Sequence, residues 1–390
     1  MLTPLLWACL AHAEDPASPA SEPPPAELPA PPETPAQTPT YLAPPEPVQQ
    51  TFPGMMNPAI SLNGLFVAGA ELDDGTLAPP QLGGEAGESA FPSAGGTFGT
   101  GLNVQEMELQ IAANVDPFFK ANIILAIPGT EGVEVEEGYV QLLSLPRTIV
   151  TIGKIKEAFG RENPTHTHGW LTVDNSLIGQ ALLGGEGLND VGVNAAVLLP
   201  TPWYSELTAS VDRGSNEGLF NSGNPTGFGY LAHWKNQIDL SYESSIELGL
   251  SGAAGENDGG GVTKLGGVDV TFKSHGRGQH QFNRVIWQSE LMFMDRDGDG
   301  ARQLGGLYST LEYSLSSHVW IGGRYDLVGL PALRDTERAQ AASLIGVYAP
   351  TEFSAFRLQA QHQWLPGGHT VDSIVGQLNF TIGVHPAHSY

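Results

Sequence analysis

Cysteine, basic residues and long apolar runs are all scarce in this sequence. Cys9 is the single cysteine in 390 residues, and 17 basic residues stand against 42 acidic ones. After the N-terminus no apolar run reaches the roughly 18 residues that a membrane helix needs. The lone thiol excludes an internal disulfide framework and Cys-ligated metal sites. A formal charge of −25 argues against nucleic acid as a partner, because that needs a basic face. With no membrane helix, a membrane protein of this composition has to be a barrel, since only helices and closed barrels satisfy every backbone group in lipid. There is no Gly-x-Ser-x-Gly elbow, no His-Glu-x-x-His pair and no phosphate loop, and the scattered Ser, His and Asp show no catalytic spacing. An enzyme is therefore not expected.

What is present begins with an export signal. Met1 to Leu10 is apolar, and Ala11-His12-Ala13 has the small-x-small form of a cleavage site before Glu14, so residues 1–13 read as a signal peptide. The segment is short and lacks a basic n-region, which leaves room for a start further upstream. Trp7-Ala8-Cys9 makes a poor lipoprotein box, and ordinary cleavage would remove the only thiol. Residues 14–57 are acidic, rich in Pro and free of Lys and Arg. Pro at that density forbids helix and ladder pairing, so this block is expected to be a disordered, extended tether. It serves either as a passive spacer or as a segment presented to a periplasmic partner by a barrel anchor.

From Ile60 onward the hydrophobic period becomes two. In the C-terminal run Ile374, Gly376, Leu378, Phe380 and Ile382 share one face, with Gln377, Asn379 and Thr381 on the other. Leu207, Ala209 and Val211 oppose Thr208, Ser210 and Asp212, and Ile321, Tyr325 and Leu327 oppose Arg324 and Asp326. Apolar and polar faces alternating over about 10 residues describe a wall between lipid and water. The expectation is an all-β fold: a transmembrane, antiparallel, up-and-down β-barrel over 58–390. About 16 strands fit the pattern, with fourteen to eighteen as the range. They include 60–69, 102–114, 227–235, 238–252 and 371–384. Tight turns alternate with long polar connections at 70–101, 159–189, 214–226, 295–303 and 329–340, the asymmetry of outer-membrane barrels, and this places both termini on the periplasmic side. Trp203, Tyr204, Trp234, Tyr313, Trp320, Tyr348 and Phe353 gather beside the tight turns as an interfacial belt.

The segments GYVQLLSLPRTIVTIGKIKEAFGRENPTHTHGW, SLIGQALLGGEGLNDVGVNAAVLLPTPWYSEL and NFTIGVHPAHSY resemble the Gram-negative outer-membrane porins. The likeness is to a branch near the phosphate-selective porins, sometimes labelled a zinc-regulated TonB-dependent receptor. A Pro-rich tether cannot fold into the globular plug of such a receptor, so the porin side of the resemblance is the one expected. The resemblance implies passive or weakly selective uptake of small hydrophilic solutes or ions through a barrel set in outer-membrane lipid, and it allows a homotrimer. It also implies that the third long connection folds inward and narrows the lumen. The alternative from the residues is a short helix at 176–183 that caps the rim.

Candidate pore-lining residues are Lys154, Lys156, Glu157, Arg161, Arg324 and Asp326. Lys154 and Lys156 share a strand face opposite Gly153 and Ile155, which would point both lysines into the lumen. The barrel as a whole is acidic, so anion and cation preference both stay open. His166-Thr167-His168 in an extended segment sets two imidazoles on one side, suited to zinc, with Glu162 or Asp174 as candidates to complete the ligand set. In the other reading the two histidines are polar loop residues. This pair underlies a second function, a metal-binding or metal-uptake barrel. His385 and His388 alternate faces and share no site. Asp295 to Gly300 matches half of a calcium loop, but Gly306 stands where the last ligand is required, so a solvated hairpin is expected there. No resident cofactor is expected beyond such zinc or calcium.

Overall fold

A computed structural model describes residues 58–71, 101–129, 132–216, 219–276, 283–333 and 338–383. The export signal, the Pro-rich tether, most of the 70–101 connection, His385, His388 and Tyr390 lie outside the described residues.

Strands run in chain order as β1 (Ala59–Glu71), β2 (Gly101–Asn114), β3 (Phe119–Pro128), β4 (Glu134–Leu142), β5 (Thr148–Lys156), β6 (Asn189–Leu198) and β7 (Tyr204–Asp212). A short hairpin follows, β8 (Ser215–Asn216) with β9 (Phe220–Asn221). Then come β10 (Gly229–Asp239), β11 (Ser244–Glu256), β12 (Val262–Ser274), β13 (Val285–Arg296), β14 (Arg302–Ser314), β15 (Val319–Leu330), β16 (Ala339–Thr351), β17 (Ser354–Trp364) and β18 (Thr370–Gly383). All but the hairpin close into one antiparallel barrel of 16 strands. The seam is β1 against β18, in register from Ser61 opposite Gly383 to Glu71 opposite Ser373.

Alternation decides which face each side chain takes. In β18, Ser373, Gln377, Asn379 and Thr381 are buried toward the interior, while Ile374 and Ile382 are exposed outward. In β17, Arg357, Gln359 and Gln361 face in, and Phe356 and Leu358 face out. The exterior is thus an apolar band, the surface that a barrel presents to hydrocarbon. Exposed Trp203, Tyr204, Trp234, Tyr313, Tyr348 and Phe353 collect near the tight turns. Trp320 departs from the expected belt. It points inward, 3% exposed, and packs with Ile286, Ile345, Val347 and Leu171.

The turn between β10 and β11 also differs from expectation. The strands expected at 227–235 and 238–252 leave Asn236 and Gln237 as the turn, yet both residues pair with β7 and β11, and the reversal comes at 240–243. Alternation turns Lys235 and Gln237 inward, with Lys235 Nζ 3.2 Å from Glu247 of β11, while Asn236 lies on the outer face opposite exposed Leu248 and accepts from Trp203 Nε1.

The interior is not uniformly polar. At the end carrying the long connections, Leu231, Leu265, Met292, Met294, Leu304, Val328 and Ala341 turn inward and join one buried cluster. Their partners come from the connection between β5 and β6, residues 157–188, which holds a 3-10 turn at Thr167–Gly169 and helix α1 at Leu177–Leu183. Ser176 caps α1 by accepting from the Gly179 N–H, and Gly184 ends it at φ 76°. Leu177, Ile178, Leu182 and Leu183 are fully buried in the cluster, so α1 lies inside the barrel against β14, β15 and β16 rather than on its rim. Burying a Leu or Ile side chain contributes about 1.5–3 kcal/mol, so these four residues alone hold the loop firmly.

Gly160 lets the loop enter. It sits at φ 61°, its N–H donates to Ser251 Oγ at 2.8 Å, and a Cβ there would fall on the Glu290 carboxylate. Gly160→Ala is expected to lift the start of the loop, at about 1–3 kcal/mol for the strained backbone alone. Limited trypsinolysis checks this: cleavage after Arg161 should be slow in the parent protein and fast in the variant.

Candidate functional site

The inward loop is stitched to the wall by polar groups that the barrel would otherwise bury unpaired. Arg324 of β15 lies at the centre. Its Nε donates to Asp326 at 2.8 Å, Nη1 to Thr172 Oγ1 at 2.7 Å and to the Asp174 carbonyl at 2.8 Å, and Nη2 to the Asp174 carboxylate at 3.0 Å. Gln359 and Gln361 of β17 donate to the same carboxylate at 2.6 and 3.1 Å. Asp326 accepts from the Leu177 N–H at 3.1 Å, and Gln359 from the Val173 N–H at 2.9 Å. Two strands along the same wall, Glu290 of β13 accepts from the N–H groups of Arg161 and Glu162 at 3.2 and 3.3 Å. Arg324 and Asp326 therefore face inward, where the loop covers them, and their contacts hold it.

The other expected residues scatter. Arg161 reaches the lumenal Glu247 at 3.4 Å and remains partly exposed. Glu157 faces in but is buried, 2% exposed, and burial raises its carboxyl to about 7. Lys154 corrects the expectation. It stands directly opposite Val191 in the ladder, and Val191 and the nearby Ile152 are exposed on the outer face. Opposed residues share a face, so Lys154 lies outside the wall near its rim, donating to the Val135 carbonyl at 2.9 Å. Apolar Ile155 is the residue that turns inward, so the rule that charge marks the lumen fails at this point. Lys156 follows the end of the β4–β5 ladder, and its Nζ meets Glu136 at 2.8 Å.

Between the loop and the wall of β2 to β6 lies a cavity of about 420 Å³. Its lining includes Glu108, Gln110, Asn122, Glu137, Gln141, Asn194, His166 and His168. The two histidines stack with ring centroids 5.8 Å apart and planes 17° from parallel. His166 Nδ1 lies 3.3 Å from both Glu108 Oε2 and Glu136 Oε2, and its Nε2 lies 3.4 Å from Glu137 Oε2. His168 Nδ1 lies 3.2 Å from the same Glu108 oxygen. Glu108, Glu136 and His166 bring ligand-type atoms within 4.8 Å of one another. Burial opposes the charged form of His166, but the carboxylates of Glu108, Glu136 and Glu137 overcome it and raise the imidazole to about 12.

The expected pair of histidines is thus together, but its carboxylate partners are not the expected ones. Glu162 receives the hydroxyl and the backbone N–H of Ser176, and Asp174 is held by Arg324. Glu108 and Glu136 lie 28 residues apart on strands β2 and β4, and only the pairing of β2 with β3 and β3 with β4 brings them near the loop. A signal was present nonetheless: Glu106 and Glu108 on one lumenal face, and two adjacent glutamates at Glu136 and Glu137.

No family model matches the chain. A protein of Aquifex aeolicus (strain VF5), described as uncharacterized, is 28% identical over 339 residues, covering 74% of this chain and 70% of that one. An anion-selective porin from Comamonas acidovorans matches 84% of this chain and all of its own at a TM-score of 0.53 and 10% identity. The outer membrane channel DcaP of Acinetobacter baumannii matches 84% of this chain and 97% of its own at a TM-score of 0.55 and 12% identity. The trimer form of OmpT, an outer membrane protein of Vibrio cholerae, matches 84% and 99% at a TM-score of 0.53 and 8% identity. At such identities the likeness is one of fold: the chain has the 16-stranded barrel of outer-membrane porins.

Glu162 yields a pH test. Burial raises its carboxyl from about 4.5 to about 7, so the seated loop holds a proton that the unfolded chain releases. The stability this contributes is complete below about pH 4.5 and is lost as pH rises through about 7, roughly 3 kcal/mol in all. Hydrogen exchange of amides 170–183 is expected to accelerate between pH 5.5 and 8.5 beyond the intrinsic rate. Glu162→Gln, which stays neutral, should flatten that excess.

Proposed function

We propose that this protein is an outer-membrane channel of Gram-negative type, exported through the periplasm and set in outer-membrane lipid, for passive diffusion of small hydrophilic solutes or ions. The observation that carries the reading is the loop 157–188 anchored across a polar interior, with a solvent-sized cavity left between it and β2 to β6. An open lumen would need no such anchorage. A solid plug would leave no carboxylate- and amide-lined space. In this reading the loop narrows the lumen, and solute passes along Glu108, Gln110, Asn122 and Asn194. The carboxylates there outnumber the nearby cations and favour positively charged or neutral polar solutes. The channel and porin descriptions of the fold neighbours support the same reading.

Reconstituted in planar bilayers, the full chain is expected to give small stepwise conductances, with a reversal potential of cation-selective sign in a salt gradient. Asp326→Ala removes the acceptor for the Leu177 N–H and a partner of Arg324, and it should raise the step size by loosening the loop. A silent barrel that stays silent after this change would end the channel reading.

The assembly we propose is a homotrimer, in keeping with the trimer form of OmpT. Native mass spectrometry from detergent is expected to return three chains per particle; a single chain at every detergent concentration would remove the trimer without touching the channel.

A further inference from the structure

The cluster at the loop tip has a geometry that ordinary ion pairing does not explain. Two imidazole nitrogens, His166 Nδ1 and His168 Nδ1, approach one carboxylate oxygen, Glu108 Oε2, at 3.3 and 3.2 Å, and a second carboxylate oxygen, Glu136 Oε2, stands 3.3 Å from His166 Nδ1. Glu108 Oε2, Glu136 Oε2 and His166 Nδ1 are sealed from solvent, and none makes a hydrogen bond of acceptable angle. Glu108 itself is 2% exposed. Buried polar atoms in native proteins are almost always paired, and these three point at one another instead. Their spacing matches a coordination shell: two ligands bound tetrahedrally to zinc at about 2.0–2.1 Å stand about 3.3–3.4 Å apart.

We propose that Glu108, Glu136 and His166 bind a divalent transition-metal cation of the zinc type inside the barrel. Mixed imidazole and carboxylate donors select this class; calcium and magnesium take oxygen donors. The surroundings have the parts that a metal site needs. Glu137 Oε2 faces the other nitrogen of His166 at 3.4 Å and orients the ring. Lys156 Nζ holds the second oxygen of Glu136 at 2.8 Å and leaves Oε2 for the ion. Such outer partners fix the donors and tune their basicity. The cavity along Glu108 and His166 supplies the entry path.

The anionic surroundings act in the same direction. Carboxylate oxygens of Glu108, Glu136 and Glu137 all stand within 3.4 Å of the His166 ring, and a dication held among them offsets that negative charge. The ligands come from β2, β4 and the loop, so the site exists only in the folded barrel with its loop seated. It does not depend on whether the barrel conducts.

The test uses the full chain purified in detergent and stripped with a chelator. Titration calorimetry with zinc chloride is expected to show one ion per chain. Glu108→Gln and His166→Gln are each expected to weaken binding at least a hundredfold, with folding confirmed by heat-dependent migration on gels. Cobalt(II) should give the visible absorption bands of a tetrahedral site and lose them in either variant. Should a variant fail to fold, anomalous diffraction at the zinc edge from soaked wild-type crystals decides, with a peak between Glu108, Glu136 and His166 expected. Absence of saturable binding, equal affinity in the variants, or a peak elsewhere overturns the proposal. None of these readouts requires conduction, so failure here is distinguishable from failure of the channel reading.

Discussion

A backbone N–H or C=O placed in hydrocarbon has no water to pair with, and each one left alone costs several kcal/mol. The ladder must therefore close, and in this chain it does so by bringing β1 back against β18. Closure fixes the alternation, because a strand in a closed sheet has one face toward the surroundings and one toward the axis. A slip of one residue would exchange every pair of faces. The pairing of Ile382 with Leu62, for example, keeps Thr381 on the interior side with Asn63, to which it donates at 2.7 Å. The rest of the molecule follows from that interior.

A sixteen-stranded wall encloses more space than its side chains can fill, and its inward residues include Arg324, Asp326, Arg357, Gln359 and Glu290, all nearly inaccessible. Buried charges without partners are among the most costly arrangements a protein can hold. The loop 157–188 meets that need with its own backbone and side chains. Arg324 spans two carboxylates, a hydroxyl and a carbonyl. The loop also requires this wall, since its N–H groups at Arg161, Glu162, Val173 and Leu177 find acceptors only there. The apolar cluster around α1 adds affinity without direction, while the polar contacts set position. Together they make the loop part of the fold.

The strand layout was legible because alternation is local: any stretch of about ten residues carries its own evidence. Two failures show where locality stops. Trp320 was assigned to the outer belt because aromatics favour interfaces, but the interior near Ile286 and Val347 is apolar and accepts it. Lys154 was assigned to the lumen by its charge, but its register against Val191 puts it outside. The histidine pair could be read from the sequence because both members lie within three residues. Glu108 and Glu136 could not be assigned to it, because their distance from the loop is set by three strands and one loop seat. The inward path of 157–188 was suggested by apolar residues at 177–183 in an otherwise polar connection, but which wall they meet, β14 to β16, is a property of closure.

The histidine–glutamate cluster and the loop seat are mechanically one object. His166 belongs to the loop, Glu108 and Glu136 to the wall, and their contacts join the two across the cavity on that side, beside those of His168 with Glu108 and Thr167 with Glu106. Any cation that bridges them binds the seated loop and not the lifted one, so it stabilises the seated form by an amount that grows with the logarithm of its concentration over its dissociation constant. The reverse also holds. Arg324 and Asp326, on the opposite wall, anchor the loop that carries His166, and so they would contribute to the affinity of the proposed site without touching it. Reciprocity of this kind is a thermodynamic necessity for two sites that share one conformational equilibrium. The lumenal anchors and the cluster are then not separate features, one structural and one chemical. They are two ends of one lever, and its fulcrum is the short stretch from Thr172 to Leu177.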